Sequence, residues 1–448
     1  MNTATATFIN NLPVTPVSQA NRIPSVDVLR GIALLGILLM NITEFSMPQR
    51  YSEAFRTDPS NVNFWVRAVM LVFFEGKMRA MFSMIFGAGI LLFIANKKAR
   101  ESVITFLFYR RMGWLILFGL VDAHLLLWEG DILYFYGVIG MIAFLFRKMK
   151  PQYLIIALPL VAIVEFVTQT MFYQDIRQKR LDYVQVKQSI GLQQPDESQK
   201  KVLAEWREME LSFIPNDQDI IENTSKMKSG YSTVAKKVRK ASLEFQTKYL
   251  IYGIWDPLAL MLLGMALYKW GFFTGKWTRR KYKWTALLGY GAGLPLVLYD
   301  FYYGYTYFPN LAAVFVHMEK HVIAWINLIY PVQRILLVLA HTSLILLIFQ
   351  SGILQSQFRR LAAVGQMALT NYVMQTVICT LFFFGYGLNY FGRLEYYQVF
   401  YIVCFIWLLQ FFLSPLWLRY FRFGPLEWLW RSLTYHQVQP MRKKMQKL

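Results

Sequence analysis

The sequence predicts an all-α fold, a polytopic membrane bundle of about ten spanning helices with both termini cytoplasmic. Three observations carry this expectation. Of 448 residues, 56% are hydrophobic and 16% charged, with a mean hydropathy of +0.34, whereas soluble domains run at about 45–50% apolar and about 25% charged. Apolar stretches recur at close to the roughly 20 residues a helix needs to cross a bilayer. The formal net charge is +21, and its Lys and Arg gather in alternate connections, as a spanning chain requires. The composition excludes a long disordered chain. Two cysteines, Cys379 and Cys404, exclude a disulfide-stapled scaffold.

In chain order, residues 1–26 form a polar cytoplasmic tail without a signal-peptide core, so the first span serves as an uncleaved anchor. An N-terminal membrane domain, 27–173, holds spans near 28–45, 79–95, 112–128, 132–146 and 152–173, the fourth of them short. Segment 62–76 reads as lying along the outer interface, because letting it cross would carry the Lys97–Arg111 cluster outward. A hydrophilic insert, 174–246, with 13 basic and 11 acidic residues, falls on the outer side. Within it Lys200–Leu211 has helical spacing, with Val202, Leu203, Trp206 and Met209 for one face. The insert reads as a helical cap or as a mobile loop. The C-terminal membrane domain, 247–418, holds spans near 249–269, 284–303, 323–349, 362–386 and 397–418, the third kinked at Pro331. A basic cytoplasmic tail, 419–448, ends the chain.

In this arrangement the inner connections and tail carry 23 Lys or Arg against Glu101 and Glu427, and the short outer connections carry four basic and six acidic residues. The surplus charge is then a topology signal with affinity for anionic lipid, and nucleic acid is not the expected partner.

Ionisable side chains inside spans cost at least about 2.5–3.5 kcal/mol each, so each marks a candidate site. The densest group lies at the outer end of the third span, with Asp122, His124, Glu129 and Asp131. A histidine beside carboxylates is a competent proton acceptor; Asp131, after a tight turn, equally suits a helix N-cap. Asp256 and Asp300 lie near the outer ends of later spans. Arg334, beside Gln333, needs an acidic partner, either to lock helices or to meet a ligand. Glu165 stands isolated in the fifth span. Asn371 and Gln375 share one side of the ninth span with Thr370, which suits helix joining or substrate recognition. His341 reads as a hydrogen-bonded core residue, and Ser83 with Gly87-Ala88-Gly89 as a small face for close helix approach. No cysteine pair and no third ligand beside His317 and His321 offers a metal cage.

The opening Arg22-Ile-Pro-Ser-Val-Asp27-Val-Leu-Arg30-Gly31, the segments Gly76–Gly89 and Trp128–Tyr134, and the C-terminal blocks Gly365–Thr380 and Trp417–Arg431 resemble the YeiB family of bacterial inner-membrane proteins. The resemblance implies a multi-pass protein of the bacterial plasma membrane whose C-terminal half is a domain of unknown function. The Asp27-x-x-Arg30-Gly31 opening is also distantly similar to that of the heparan glucosaminide acetyltransferase group of transmembrane acyltransferases. That likeness implies transfer of an acyl group from cytoplasmic acyl-CoA to an acceptor across the membrane. In that group the proposed catalytic histidine follows the first span, and residues 46–78 here contain none.

On the acyltransferase reading, Arg30, Arg110, Arg111, Arg279, Arg280, Arg359 and Arg360 hold the CoA phosphates, since guanidinium forks match phosphate. His124, oriented by Asp122 or Asp131, deprotonates the acceptor. Acyl-CoA is then a substrate, and no tightly bound cofactor is expected. The topology signal alone also accounts for these arginines. On a transporter reading, Glu129, Asp256, Asp300, Arg334, Asn371 and Gln375 line a polar route, although no internal repeat accompanies it. A non-catalytic membrane scaffold is the third reading.

Overall fold

A computed structural model describes residues 22–48, 55–95, 99–190, 194–214 and 216–443. The first 21 residues, Lys97, Lys98 and the last five residues of the basic tail lie outside the described residues. The described chain is a helical membrane bundle; each stretch expected to span is mostly helical, that at 362–386 being divided between two helices at Met367. Among the described residues, seven helical stretches are long and apolar enough to cross a membrane: Pro24–Ser46, Val62–Ala95, Glu101–His124, Pro151–Ile190, Leu250–Lys269, Ile329–Ser351 and Val399–Tyr420.

The first is α1 (Pro24–Ser46), with Pro24 in the first turn, where its missing N–H removes no helical bond. Next come α2 (Val62–Val69), a π turn over Met70–Phe74 and α3 (Lys77–Ala95). Segment 62–76 buries one face, with Phe64, Ala68 and Val72 inside and Val62, Trp65 and Val69 exposed, and its π turn packs against the bundle. Its freed carbonyls are answered from within, Leu71 O by Lys77 Nζ at 2.7 Å and Phe73 O by His341 Nε2 at 2.9 Å. Irregular backbone at membrane depth is tolerated only where such partners or a cavity receive it.

Then follow α4 (Glu101–His124) and α5 (Leu133–Ala143). The α4–α5 connection dives inward, with Leu127, Trp128 and Asp131 all buried, and so α5 is short: it starts inside the bundle. Helix α6 (Pro151–Ile190) runs 40 residues without a break, so the insert begins as a continuation of a spanning helix. The insert itself is helical, with α7 (Glu197–Phe213), α8 (Asp217–Met227) and α9 (Tyr231–Thr247). Trp206 of α7 is buried with Ile176, Phe315 and Met318, which fastens the insert to α6 and to α12.

The second half comprises α10 (Trp255–Lys269), α11 (Arg279–Tyr307), α12 (Leu311–Lys320), α13 (Ile329–Ser351), α14 (Gln355–Gln366), α15 (Ala368–Phe383), α16 (Val399–Tyr420) and α17 (Pro425–Tyr435). Pro331 falls in the first turn of α13 and makes no kink there; the stretch before it is a separate 3-10 turn, Trp325–Leu328. Several crossings bring backbones into contact, two of them between helices far apart in the chain. An ideal Cβ on Gly31 would lie 2.2 Å from Leu361 O, which joins α1 to α14, and one on Gly264 would lie 1.9 Å from Met84 O, which joins α10 to α3. Small residues permit such approach where lipid supplies no hydrophobic drive for helix association.

Candidate functional site

Two cavities approach each other inside the bundle and are separated by a thin wall. The first, of about 250 Å³, opens on the basic side, where α1 begins and α17 lies. Arg22, Arg30, Arg111 and Arg431 line its mouth with Asp27 and Glu427. Arg30 donates to Asp27 at 3.0 Å, and Arg22 stands 3.9 Å from the same carboxylate. Glu427 is committed to the N-terminus of α15: it accepts from the Leu369 and Thr370 amides at 2.6 and 3.0 Å and from the Thr370 hydroxyl at 2.6 Å. Arg111 stacks on Trp430 with its guanidinium 3.7 Å from the ring centre, and Arg431 on Phe423 at 4.5 Å.

Four guanidinium groups therefore face two carboxylates, one of which has its oxygens occupied. Burial lowers the pKa of Arg431 to about 10 and also that of Arg22, while it raises that of Glu427. Those are the directions desolvation imposes on charges without enough partners. Such a mouth favours an anion. Behind it the walls are apolar, including Ile85, Phe86, Met112 and Leu115, and the shaft ends at Tyr136 and Tyr372.

The second cavity, of about 500 Å³, opens on the insert side beneath α8 and α9. Trp128 forms part of its floor, and Glu44, Glu75, Glu129, Arg67 and Lys237 stand on its walls. Burial lowers the Lys237 pKa, opposed by the nearby Glu129 carboxylate.

The wall between the cavities is a hydrogen-bonded group. Trp128 Nε1 donates to Tyr372 Oη at 3.0 Å, as does the Ile132 amide at 3.1 Å, and the Tyr372 hydroxyl lies 3.5 Å from Asp131 Oδ1. Asp131 caps α5, accepting from the Leu133 and Tyr134 amides at 3.1 and 2.9 Å. Asp122 Oδ2 accepts from Thr376 at 3.2 Å, and its buried Oδ1 has no hydrogen-bond partner. Phe45 stacks on Trp128 with ring centres 3.8 Å apart. One indole and one phenol thus part a shaft from the basic side and a cavity from the other.

The other candidate residues fall elsewhere. His124 lines neither cavity; its Nε2 meets Gln246 Oε1 of α9 at 3.0 Å. Of the seven candidate arginines only Arg30 and Arg111 line the mouth. Arg110 donates to Leu433 O and Arg279 to Gln350 O, Arg360 lies over Phe411 and Phe412, and Arg280 and Arg359 are exposed. Asn371 binds Ser414 and Val364 O, and Gln375 binds Gln410, which in turn donates to Asn371 O, so these amides join α15 to α16. Asp256 pairs with Arg334 and with Arg79, and Glu165 has both arginines as charged neighbours. Asp300 accepts from Gln333 at 2.7 Å.

Arg22 and Arg431 are the mouth residues that spacing alone does not reveal. They stand at the outer edges of the first and last segments that carry the family resemblance.

Residues 267–437 match the family described as "Protein of unknown function (DUF418)". The uncharacterized protein YxaH of Bacillus subtilis (strain 168) is 29% identical over 443 residues, covering 96% of this chain and 98% of the relative. The uncharacterized protein YeiB of Escherichia coli (strain K12) is 28% identical over 434 residues, covering 93% and 97%. No solved structure matches the chain.

Proposed function

Because the chain is a YeiB-like membrane protein with a DUF418 region in its second half, and neither designation carries an activity, we propose a function from the site itself: transfer of an acyl group from cytoplasmic acyl-CoA to an acceptor on the insert side. The observation that supports it most is the cationic mouth opening onto an apolar shaft that ends at the Trp128–Tyr372 pair. Phosphates suit the guanidinium groups, and the acyl-pantetheine arm suits the apolar walls. The acceptor's nucleophilic oxygen or nitrogen attacks the thioester carbonyl, its new bond to the acyl carbon forms, and the C–S bond breaks. The acceptor proton passes by way of the Tyr372 hydroxyl, which lines the shaft, to the Asp131 carboxylate 3.5 Å behind it, and the CoA thiolate takes up a proton as it leaves on the basic side. His124, turned towards Gln246, has no part in this scheme.

Calorimetric titration of the purified protein with acetyl-CoA tests the reading. Saturable binding is expected, and Arg30→Gln with Arg431→Gln together should weaken it by about 100-fold or more, at about 1.5–3 kcal/mol for each lost charge-assisted bond. Arg279→Gln with Arg280→Gln, away from the mouth, should leave it unchanged. Gly89→Leu gives a second check: Gly89 lines the shaft, and no atom lies within 4 Å of a Cβ placed there, so the side chain should fill the shaft and block binding without loss of fold. Wild-type protein that binds no acetyl-CoA would sink the proposal in favour of a solute pathway through the same two cavities.

A further inference from the structure

The insert-side cavity adjoins a third one, of about 220 Å³, and the two share Arg67, Leu71 and Glu75 in their walls. The lobes share Arg67 and Glu75, and beyond these their charge leans opposite ways: the larger adds Glu44 and Glu129, with Lys237 overhead, and the smaller adds Arg56 and Lys77, with Asp300 opposite. Glu44 is exposed to the cavity and makes no ion pair among the described residues, and its charged neighbour is another carboxylate, Glu129.

The smaller lobe has features of a built site. The π turn runs along it, so backbone freed from helical bonding lines a polar space. Lys77 is 1% exposed, and its Nζ spends one hydrogen bond on Leu71 O, leaving further donor capacity. Gln333, also 1% exposed, lines the lobe and gives its amide to Asp300, while its Oε1 has no partner. A buried acceptor of that kind calls for a donor from outside the chain.

We propose that the two lobes form one vestibule for a zwitterionic amino acid or short peptide, with the ammonium group held by Glu44 and Glu129 and the carboxylate by Arg67 and Lys77. A peptide N–H is the natural donor to Gln333 Oε1. Both ends of the ligand find charge-assisted bonds of the right sign, and a ligand lacking either charge leaves one lobe's charges unpaired, which sets specificity. This deepens the acyl-transfer reading by making the acceptor nucleophile an amine; it rests on that reading only for this consequence, since binding itself needs no acyl-CoA.

The test titrates the purified full-length chain, without acyl-CoA, with L-alanine and L-alanyl-L-alanine and then with the N-acetylated dipeptide and the dipeptide amide. Saturable binding of a free zwitterion is expected, weakened by about tenfold or more by either cap, a loss of about 1.4 kcal/mol. Glu44→Gln should remove the discrimination against N-acetylation, and Arg67→Gln that against amidation. Glu129→Gln replaces Glu44→Gln if that variant does not fold. No saturable binding of either zwitterion, or equal binding of the capped and free dipeptides, overturns the proposal. An acetyl-CoA titration of the same sample separates the two readings. Acetyl-CoA bound and zwitterions ignored removes this vestibule assignment but leaves acyl transfer standing. Zwitterions bound and acetyl-CoA ignored supports the vestibule and removes the acyltransferase.

Discussion

Asp256→Ala is expected to remove most of the folded protein. Asp256 is buried on α10 and accepts from both terminal nitrogens of Arg334, one of them at 3.0 Å, while Arg79 reaches its Oδ2 at 3.1 Å. Arg334 is 2% exposed, and its Nε has no partner, so the carboxylate supplies nearly all the compensation that guanidinium receives. Removing one member of a buried pair costs about 3–5 kcal/mol, because the surviving charge stays desolvated. Here the deletion strands the buried Arg334 guanidinium and takes one partner from the half-exposed Arg79, at a depth where insertion scales already charge about 2.5–3.5 kcal/mol for an arginine. Melting followed by size-exclusion of detergent-solubilised protein should show the loss. Asp300→Ala should melt closer to wild type, since the hydrogen bond it removes is from the neutral Gln333 amide and Lys77 keeps Glu75 as a charged neighbour. A double variant, Asp256→Leu with Arg334→Leu, should recover part of the stability, Arg79 remaining unpaired. An Asp256→Ala protein that melts like the wild type would mean that water, not the carboxylate, satisfies both arginines.

This cluster also marks how far the sequence could be read. That Arg334 must have an acidic partner follows from its place in an apolar helix. Which partner does not: Asp256 lies 78 residues away, and Asp122, Asp300 and Glu165 were open to the same role by depth alone. The Asp131 cap was readable as one of two local options, because an N-cap and its amides sit within three residues of each other. The wall of Trp128 and Tyr372 was not, since residues 244 apart meet there through a connection that dives inward. The mouth was readable by half. Arg30 and Arg111 stood out as basic residues at span ends, but Arg431 joins them only because α17 folds back beneath α4, where Trp430 donates to Arg111 O at 2.8 Å. The placement of segment 62–76 rests on loop charge, and no local pattern announces that Lys77 turns back to serve the π turn before it.

Gly264→Ala should lower the melting temperature and, with it, the affinity for acetyl-CoA. The α3–α10 crossing is reciprocal: a Cβ on Gly264 would lie 1.9 Å from Met84 O, and one on Gly87 would lie 2.1 Å from Met261 O. In both cases the obstacle is backbone, so no rotamer change relieves the clash and the helices must separate. Overpacking that side chains can absorb costs about 1–3 kcal/mol, and the change at Gly264 should reach at least the upper end of that range. Separation would also loosen Met81, Met84, Met261 and Met265, all 0% exposed around the crossing. Gly89 stands two residues beyond Gly87 on the wall of the shaft, so a displaced α3 changes the shape of the shaft as well as the stability of the bundle. Gly89→Ala is the matched control: a Cβ there meets nothing within 4 Å and should leave melting unchanged. Equal melting of the Gly264→Ala and Gly89→Ala proteins would show that the two backbones do not touch at this crossing.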